Sequence, residues 1–404
     1  MHTLLETVLS TTLWGLWSYL LVISLYIALV TFGAWCLVLK ERVHRSKTTS
    51  RPTIAILVPA HNEELGIATT VQQLLGAEYP RESFRVIVIA DNCTDRTAEV
   101  ARAAGADVIE RTDLVKRGKG QALDWVLKEH EQLLSRFDLV AFVDADMYVD
   151  PKFLAALAEK FADPQIQVVQ GRYTIANPGA SWLTALGFVS FAYVNHVRPA
   201  GRTFWGGTAE LKGSGMCFRR ELICETGWPS GSIAEDVDFG KELLFRDICV
   251  HYAPRAIVTS DIPTRLRQVE VQQSRWEGGK LDVERKFFGR TLRALMRRPS
   301  IAMLDALLDL CVPPLSVVVL LSVLGFALAF LVDAPSPWLF LIPLAAFALS
   351  VVTGLVQLRP PFKTYVYLAC APAFILWKLT LLARLMRRPG QAEWRRTPRD
   401  AEQK

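Results

Sequence analysis

The chain opens with an almost uncharged apolar run, Leu13 to Leu39. It closes with three more, about Ala306 to Val332, Trp338 to Leu358 and Thr364 to Met386. The first is about 27 residues long, enough to span a bilayer with some tilt and too long for the apolar part of a signal peptide. Trp14, Trp17 and Tyr19 suit one membrane interface and Trp35 the other. From Pro52 the pattern changes. Short apolar stretches of strand composition fall at Ile54 to Val58, Arg85 to Ala90, Asp107 to Glu110, Leu139 to Val143, Ile166 to Tyr173 and Met216 to Arg219. Segments of helical period separate them, ending near Leu75, Ala104, Leu134, Phe161 and Phe245. This alternation predicts an α/β domain with a mostly parallel sheet and helices on both faces. Ser181 to Val197 is apolar, aromatic and of helical length, which suits a core or cleft-lining helix.

Charge then orients the plan. Lys40, Arg42, Arg45, Lys47 and Arg51 follow the first run, so the positive-inside rule places the next domain in the cytoplasm and the N-terminus outside. Val283 to Arg298 is amphipathic, with Phe288, Leu292, Leu295 and Met296 on one face and Lys286, Arg290, Arg293 and Arg297 on the other. Such a helix beside a span is expected to lie in the cytoplasmic interface. The turn Asp333 to Pro337 suits the outside, and Arg359 to Lys363 the inside. One span before the domain and three after it would put the basic tail (Arg387, Arg388, Arg395, Arg396, Arg399) outside, against the rule. Pro313-Pro314 and Pro372 make a broken or re-entrant segment the other solution. Asp309 and Lys378, within or near spans, are expected to face protein or water. The expected layout is therefore a transmembrane helix over 1–40, a cytoplasmic α/β domain over 52–280, an interface helix over 281–304, membrane segments over 305–387 and a tail over 388–404.

Composition narrows the partners. Of 404 residues, 51% are hydrophobic, and the net charge of +6 is concentrated beside the apolar runs, which fits an anionic lipid surface. No basic stripe with interleaved aromatics appears in the middle of the chain, so no nucleic-acid partner is expected. The seven cysteines are scattered without C-x-x-C spacing, which predicts free thiols in a reducing compartment and no zinc site.

The candidate chemistry centres on Asp138 to Pro151, DLVAFVDADMYVDP. A buried strand ends in Asp144-Ala145-Asp146, and Asp150-Pro151 opens a helix as N-cap and first residue. Open α/β sheets bind ligands at such strand ends, and residues two apart on a strand point the same way. Adjacent carboxylates in a cleft repel unless a cation joins them, and Mg²⁺ or Mn²⁺ with substrate phosphates suits that site. The plainer alternative is that acidic residues terminate a strand and cap a helix. Three successive strand ends carry polar ligand-type residues: Glu63, Asp91, and Asp144 with Asp146. Neither G-x-G-x-x-G after the first strand nor G-x-x-x-x-G-K-[ST] occurs, which counts against dinucleotide oxidoreductases and P-loop enzymes. Glu235-Asp236 opens a helix. A capping role competes for Glu235 and is weaker for Asp236.

Four signatures in order, VPAHNEE (with Pro59 and Glu63), the D-x-D of Asp144 and Asp146, Glu235-Asp236, and Q-x-x-R-W at Gln272 to Trp276, resemble the membrane-bound family-2 glycosyltransferases. That group contains cellulose, hyaluronan and chitin-oligosaccharide synthases and ceramide glucosyltransferases. The resemblance implies a GT-A fold and inverting transfer from a UDP-linked nucleotide-sugar. It places Pro59 and Glu63 at the nucleotide, Glu63 meeting the ribose, with Asp91 at the base and Lys119 supporting the phosphates. Asp146 with Asp144 would hold Mg²⁺ or Mn²⁺. Asp236 would be the general base with Glu235 beside it, and Gln272, Arg275 and Trp276 would border the acceptor and diphosphate. For His61 a structural hydrogen bond is expected. The expected acceptor is a growing cell-surface polysaccharide or oligosaccharide. The alternatives are one transfer to a lipid, such as a polyprenyl phosphate or a ceramide-like alcohol, and a catalytically inactive membrane scaffold. A further expectation is that the tail around Trp394 to Arg399 reaches back to the active site, against a disordered basic tail on anionic lipid.

Overall fold

The computed structural model describes residues 2–43, 51–229, 234–332 and 336–387. The turn at Asp333 to Pro335, Arg45 and Lys47, and the tail from Arg388 with Trp394 to Arg399 lie outside the described residues. The chain forms two compact units. One holds Val38–Asn177 and Thr208–Pro263; the other holds residues 2–37, Pro178–Gly207 and 264–387. These boundaries cut the chain differently from one continuous stretch over 52–280. Residues 178–207 and 264–280 pack with the apolar helices, where Leu183, Leu186 and Val269 bury in one cluster with Phe374.

The chain starts with one long helix, α1 (His2–Val43), whose last turn belongs to the sheet-containing unit. That unit then runs β1 (Ile54–Ala60), α2 (Ile67–Leu75), β2 (Phe84–Asp91), α3 (Thr97–Ala103), β3 (Asp107–Arg111), α4 (Lys119–Glu129), α5 (Glu131–Leu134), β4 (Leu139–Phe142), β5 (Tyr148–Val149), α6 (Phe153–Lys160) and β6 (Val168–Ile175). After α7 (Trp182–Ala192) and α8 (Arg198–Phe204) of the other unit, it resumes with β7 (Met216–Arg219), α9 (Arg220–Thr226), α10 (Glu235–Leu244) and β8 (Val250–Ser260).

The eight strands form one sheet in the order β3-β2-β1-β4-β7-β6-β8-β5. The first four are parallel, as the strand–helix alternation requires. β7 runs antiparallel to both neighbours, and β5 to β8, so the whole sheet is mixed. β1 and β4 read as continuous apolar runs because both sheet faces are covered; Ile54, Ile56 and Val58 are fully buried, each contributing about 1.5–3 kcal/mol. Pro59 has no N–H for the ladder, and it sits beyond the last β1–β4 pair, Leu57 with Phe142. The polar pattern does not announce β8. Pro254 interrupts it, and the β6–β8 register slips between Gly171 and Arg172, leaving residues 254–256 in a bulge.

The second unit is helical. It contains α7, α8, a 32-residue helix α11 (Leu266–Arg297), α12 (Ile301–Cys311), α13 (Leu315–Leu331), α14 (Leu341–Leu358), α15 (Phe362–Tyr367) and α16 (Ala371–Arg387). Among the described residues, three helices are long and apolar enough to cross a membrane: Thr7–Val43, Pro337–Leu358 and Phe362–Arg387. α12 and α13 make a fourth only as a pair bent by 64°, with the break at Val312 to Pro314. The break frees the carbonyls of Cys311 and Val312, which accept from Tyr19 Oη (2.9 Å) and Lys280 Nζ (3.2 Å). The amphipathic stretch is not a separate helix: it is the second half of α11. Val283, Phe287 and Thr291 face inward, while Phe288, Leu292 and Met296 are exposed.

Both charges within or near the apolar helices face protein. Asp309 is buried and accepts from Arg198 Nε (2.6 Å) and Arg202 Nη1 (2.8 Å), and Arg202 also donates to Asp305 (2.9 Å). Lys378 pairs with Glu277 at 2.7 Å.

Candidate active site

Parallel register brings the carboxyl ends of β1, β2, β3 and β4 to one edge of the sheet. His61 Nδ1 donates to the Asp91 carbonyl (2.8 Å), tying the β1 and β2 ends together in the structural role expected. Asn62 and Asn92 sit at φ 55° and 51°, in the left-handed region that asparagine tolerates at a tight turn. Glu63, half-buried, follows β1; its backbone N–H donates to Thr97 Oγ1 of α3 (2.7 Å). Asp91 is buried and already paired: Arg111 Nη1 donates to its Oδ1 at 2.6 Å.

Asp144 and Asp146 follow β4, but not as part of it. The strand stops at Phe142, and Asp144 to Asp146 form a turn closed by Met147 N–H to Asp144 O (3.3 Å). The Thr70 hydroxyl lies 2.8 and 2.9 Å from the carbonyls of Ala145 and Met147 and holds the turn in place. The period of two therefore does not apply here: Asp144 is half-buried, Ala145 buried and Asp146 exposed. Likewise Asp150 lies one turn ahead of α6, accepting from Lys152 N–H (2.8 Å), with Lys152 at the N-cap.

The other site residues converge on the loop Gly213-Ser214-Gly215. Lys119, the first residue of α4, donates to the Gly213 carbonyl (2.5 Å) and forms an ion pair with Asp144. The Asp144 N–H donates to Ser214 Oγ (3.0 Å). A methyl group on Gly213 would lie 3.4 Å from Asp236 Oδ2 and 3.7 Å from Lys119 Nζ, so this backbone passes between acid and ammonium, and at φ 76° it needs glycine. Gln170, buried on β6, fixes the loop. Its Nε2 donates to the Ser214 and Gly171 carbonyls (both 2.9 Å), and its Oε1 accepts from Lys212 N–H (2.8 Å).

Glu235 and Asp236 open α10, with Asp236 Oδ1 accepting from Val237 N–H (2.9 Å). Neither caps the helix; the N-cap is Ala234. The Glu235 carboxyl lies against Gly120 in the first turn of α4, an end that attracts negative charge. Burial pushes Glu235 up to about 7, against the Trp228 and Lys119 interactions that lower it. Burial likewise raises Asp236 above its ordinary value, despite the Val237 N–H and the charges of Lys119 and Lys212. Burial disfavours the Lys119 ammonium, but Asp144, with Asp236 and Glu235 beyond it, holds it charged above its usual range.

Asp144 and Asp146 offer oxygen donors only. Among the described residues no three His, Cys, Asp or Glu side chains gather as a metal cage. Such a set fits a hard cation that takes one or two protein carboxylates and completes its shell with phosphate and water, and does not fit zinc. The ammonium of Lys119 against Asp144 marks where positive charge is already required. Gln272, Arg275 and Trp276 belong to the helical unit, on α11, where the Trp276 ring packs on Phe191 with centroids 5.5 Å apart.

Sequence reasoning missed Gln170 and Arg111. A polar residue within an apolar strand (VVQG) and one ending a strand (VIER) are the only local signals, and both also describe ordinary strand edges.

A mixed sheet of this order, with acidic side chains at the ends of its parallel strands, is the GT-A fold of nucleotide-diphospho-sugar transferases. The family model "Glycosyltransferase like family 2" matches residues 52–279, more than half of the chain, and the protein belongs to that family. A β-monoglucosyldiacylglycerol synthase of Nostoc is 31% identical over 240 residues, 57% of this chain and 49% of the relative. A poly-β-1,6-N-acetyl-D-glucosamine synthase of Staphylococcus epidermidis is 25% identical over 244 residues, 59% of this chain and 57% of the relative. The chain thus spans about half to three-fifths of the curated relatives it matches. A mannosyltransferase from Pyrobaculum calidifontis, solved with GDP-Man and Mn²⁺, superposes with a TM-score of 0.52 at 18% identity, covering 92% of this chain and 96% of that one. The likeness is one of fold.

Proposed function

We propose that the protein is a metal-dependent inverting glycosyltransferase that moves a sugar from a UDP-linked donor onto a cell-surface polysaccharide or oligosaccharide, with the sheet-containing unit in the cytoplasm. The observation that carries this is the gathering of Lys119, Asp144 and Asp236 about one glycine loop at the ends of the parallel strands, with the Glu235 carboxyl against the first turn of the helix that Lys119 begins. In this scheme Pro59 and Glu63 meet the nucleoside, Asp91 the base, and Lys119 the diphosphate. Mg²⁺ or Mn²⁺ held by Asp144 and Asp146 would supply Lewis-acid neutralisation of the departing diphosphate.

Asp236 takes the proton from the acceptor hydroxyl. Burial raises its pKa above the ordinary aspartate value, the direction that makes a carboxylate a stronger base. Direct displacement by that hydroxyl inverts the anomeric carbon and needs no protein nucleophile. On α11 of the helical unit, Arg275 offers a fork for oxygens and Trp276 a face for a sugar ring, with Gln272 one turn earlier. The apolar helices anchor the enzyme where such acceptors are found.

A second reading is one transfer to a membrane lipid, favoured by the 31% identity to a synthase of glucosyldiacylglycerol. Incubation with radiolabelled UDP-sugars and Mg²⁺ or Mn²⁺ separates the two, a ladder or polymer against one monosaccharide-lipid. Asp236→Asn is expected to lower kcat by about 10²–10⁴-fold, the usual worth of a general base. Wild-type turnover in that variant refutes the assignment.

A further inference from the structure

We propose that Arg111 is a positioning residue for the nucleotide donor, holding the base-side carboxylate Asp91 and the loop that delivers Lys119 at one fixed spacing. The inference rests on the roles proposed above for Asp91 and Lys119.

Arg111 ends β3 directly opposite Asp91 in the β2–β3 register, and its side chain is only 4% exposed. Its two terminal nitrogens serve different segments. Nη1 donates to Asp91 Oδ1 (2.6 Å), which also accepts from Asn92 Nδ2 (3.0 Å). Nη2 donates to Asp113 Oδ2 (3.0 Å) and to the Lys116 carbonyl (2.8 Å). The loop is further tied by Asp113 Oδ1, which accepts from the Val115 and Lys116 N–H groups (2.9 and 2.8 Å). The Asp113 N–H in turn donates to Asn92 Oδ1 (2.8 Å). Two residues after Arg117 the chain reaches Lys119. The guanidinium also lies 5.9 Å from the ring centroid of Trp125, on the helix that Lys119 begins.

One side chain therefore touches the β2 end, the loop and α4. Locking Oδ1 from two sides fixes the carboxylate rotamer and leaves Oδ2 to accept from a ring N–H of a base such as uracil. A nucleoside diphosphate spans a set length from base to phosphates. A protein that fixes that length beforehand spends less binding energy on ordering its own groups. Only arginine can do this here. A lysine ammonium reaches Asp91 but lacks the second arm that holds Asp113 and the Lys116 carbonyl.

The test uses the full chain in detergent, with uridine and UDP·Mn²⁺ as calorimetric probes and UDP release as the rate assay. Arg111→Lys keeps a cation on Asp91. It is expected to weaken UDP binding and raise donor KM about tenfold, with kcat within about threefold and uridine affinity nearly unchanged. Asp113→Asn is expected to do the same and stands in if Arg111→Lys does not fold. Asp91→Asn is expected to weaken uridine and UDP alike. If both Arg111→Lys and Asp113→Asn are folded and bind UDP within twofold of wild type, the positioning role is wrong. If Asp91→Asn binds uridine as wild type does, the base-side contact itself is wrong, whatever the arginine variant shows.

Discussion

Gly120→Ala separates the geometry of the site from its stability. A methyl group at position 120 would lie 2.8 Å from Glu235 Cδ and closer still to Oε2, where ordinary contact begins at 3.4 Å. The carboxyl must retreat by at least 0.6 Å. It can, because it is the far end of a side chain with three rotatable bonds, so the backbone need not move. Alanine is also the better helix former, by about 0.5–1 kcal/mol. Folding stability should therefore change by less than about 1 kcal/mol. Catalysis should not be spared. A misplacement near 1 Å costs about 10²-fold, so a shift of this size is worth about 10- to 100-fold in kcat, or about 1.4–2.7 kcal/mol. UDP release by purified protein in detergent measures the rate, and a thermal melt of the same sample measures the fold. A normal melt with kcat within threefold of wild type would show that the position of Glu235 does not matter to the reaction, and would remove it from the site.

The pKa of Glu235 gives a second expectation. Its folded value of about 7 exceeds its ordinary 4.5, so the folded state keeps a proton that the unfolded chain releases. Stability from this group is thus fully present below pH 4.5 and lost as pH rises to 7. Glu235→Gln should raise the melting temperature at pH 8 and leave it unchanged at pH 4; an equal shift at both pH values contradicts the burial argument. In the helical unit, Asp309→Leu leaves two buried guanidinium groups short of a carboxylate, at a cost of about 3–5 kcal/mol. At about 2–4 °C per kcal/mol the melt should drop by about 6 °C or more, and a drop under 2 °C would mean the network is replaceable.

Periodicity alone determined the parallel half of the sheet, because short apolar runs separated by helical segments leave one way to bury both faces. It also located the apolar spans, and Pro313-Pro314 foretold the broken one, since proline removes the bond a continuous helix requires. Strand-end chemistry singled out Asp91 and Asp144, and the family resemblance added Lys119, Glu235 and Asp236. Tertiary structure decided what each of them touches. Strand β8 was hidden because a bulge at Pro254 disrupts its alternation, and a bulge shows only once a partner strand is present. Gln170 and Arg111 act through contacts 42–44 and 20 residues away in sequence, respectively, to Lys212 and Ser214 and to Asp91. Burial, which sets the charge state of Glu235 and Asp236, is a property of what surrounds a residue and not of its neighbours in the chain.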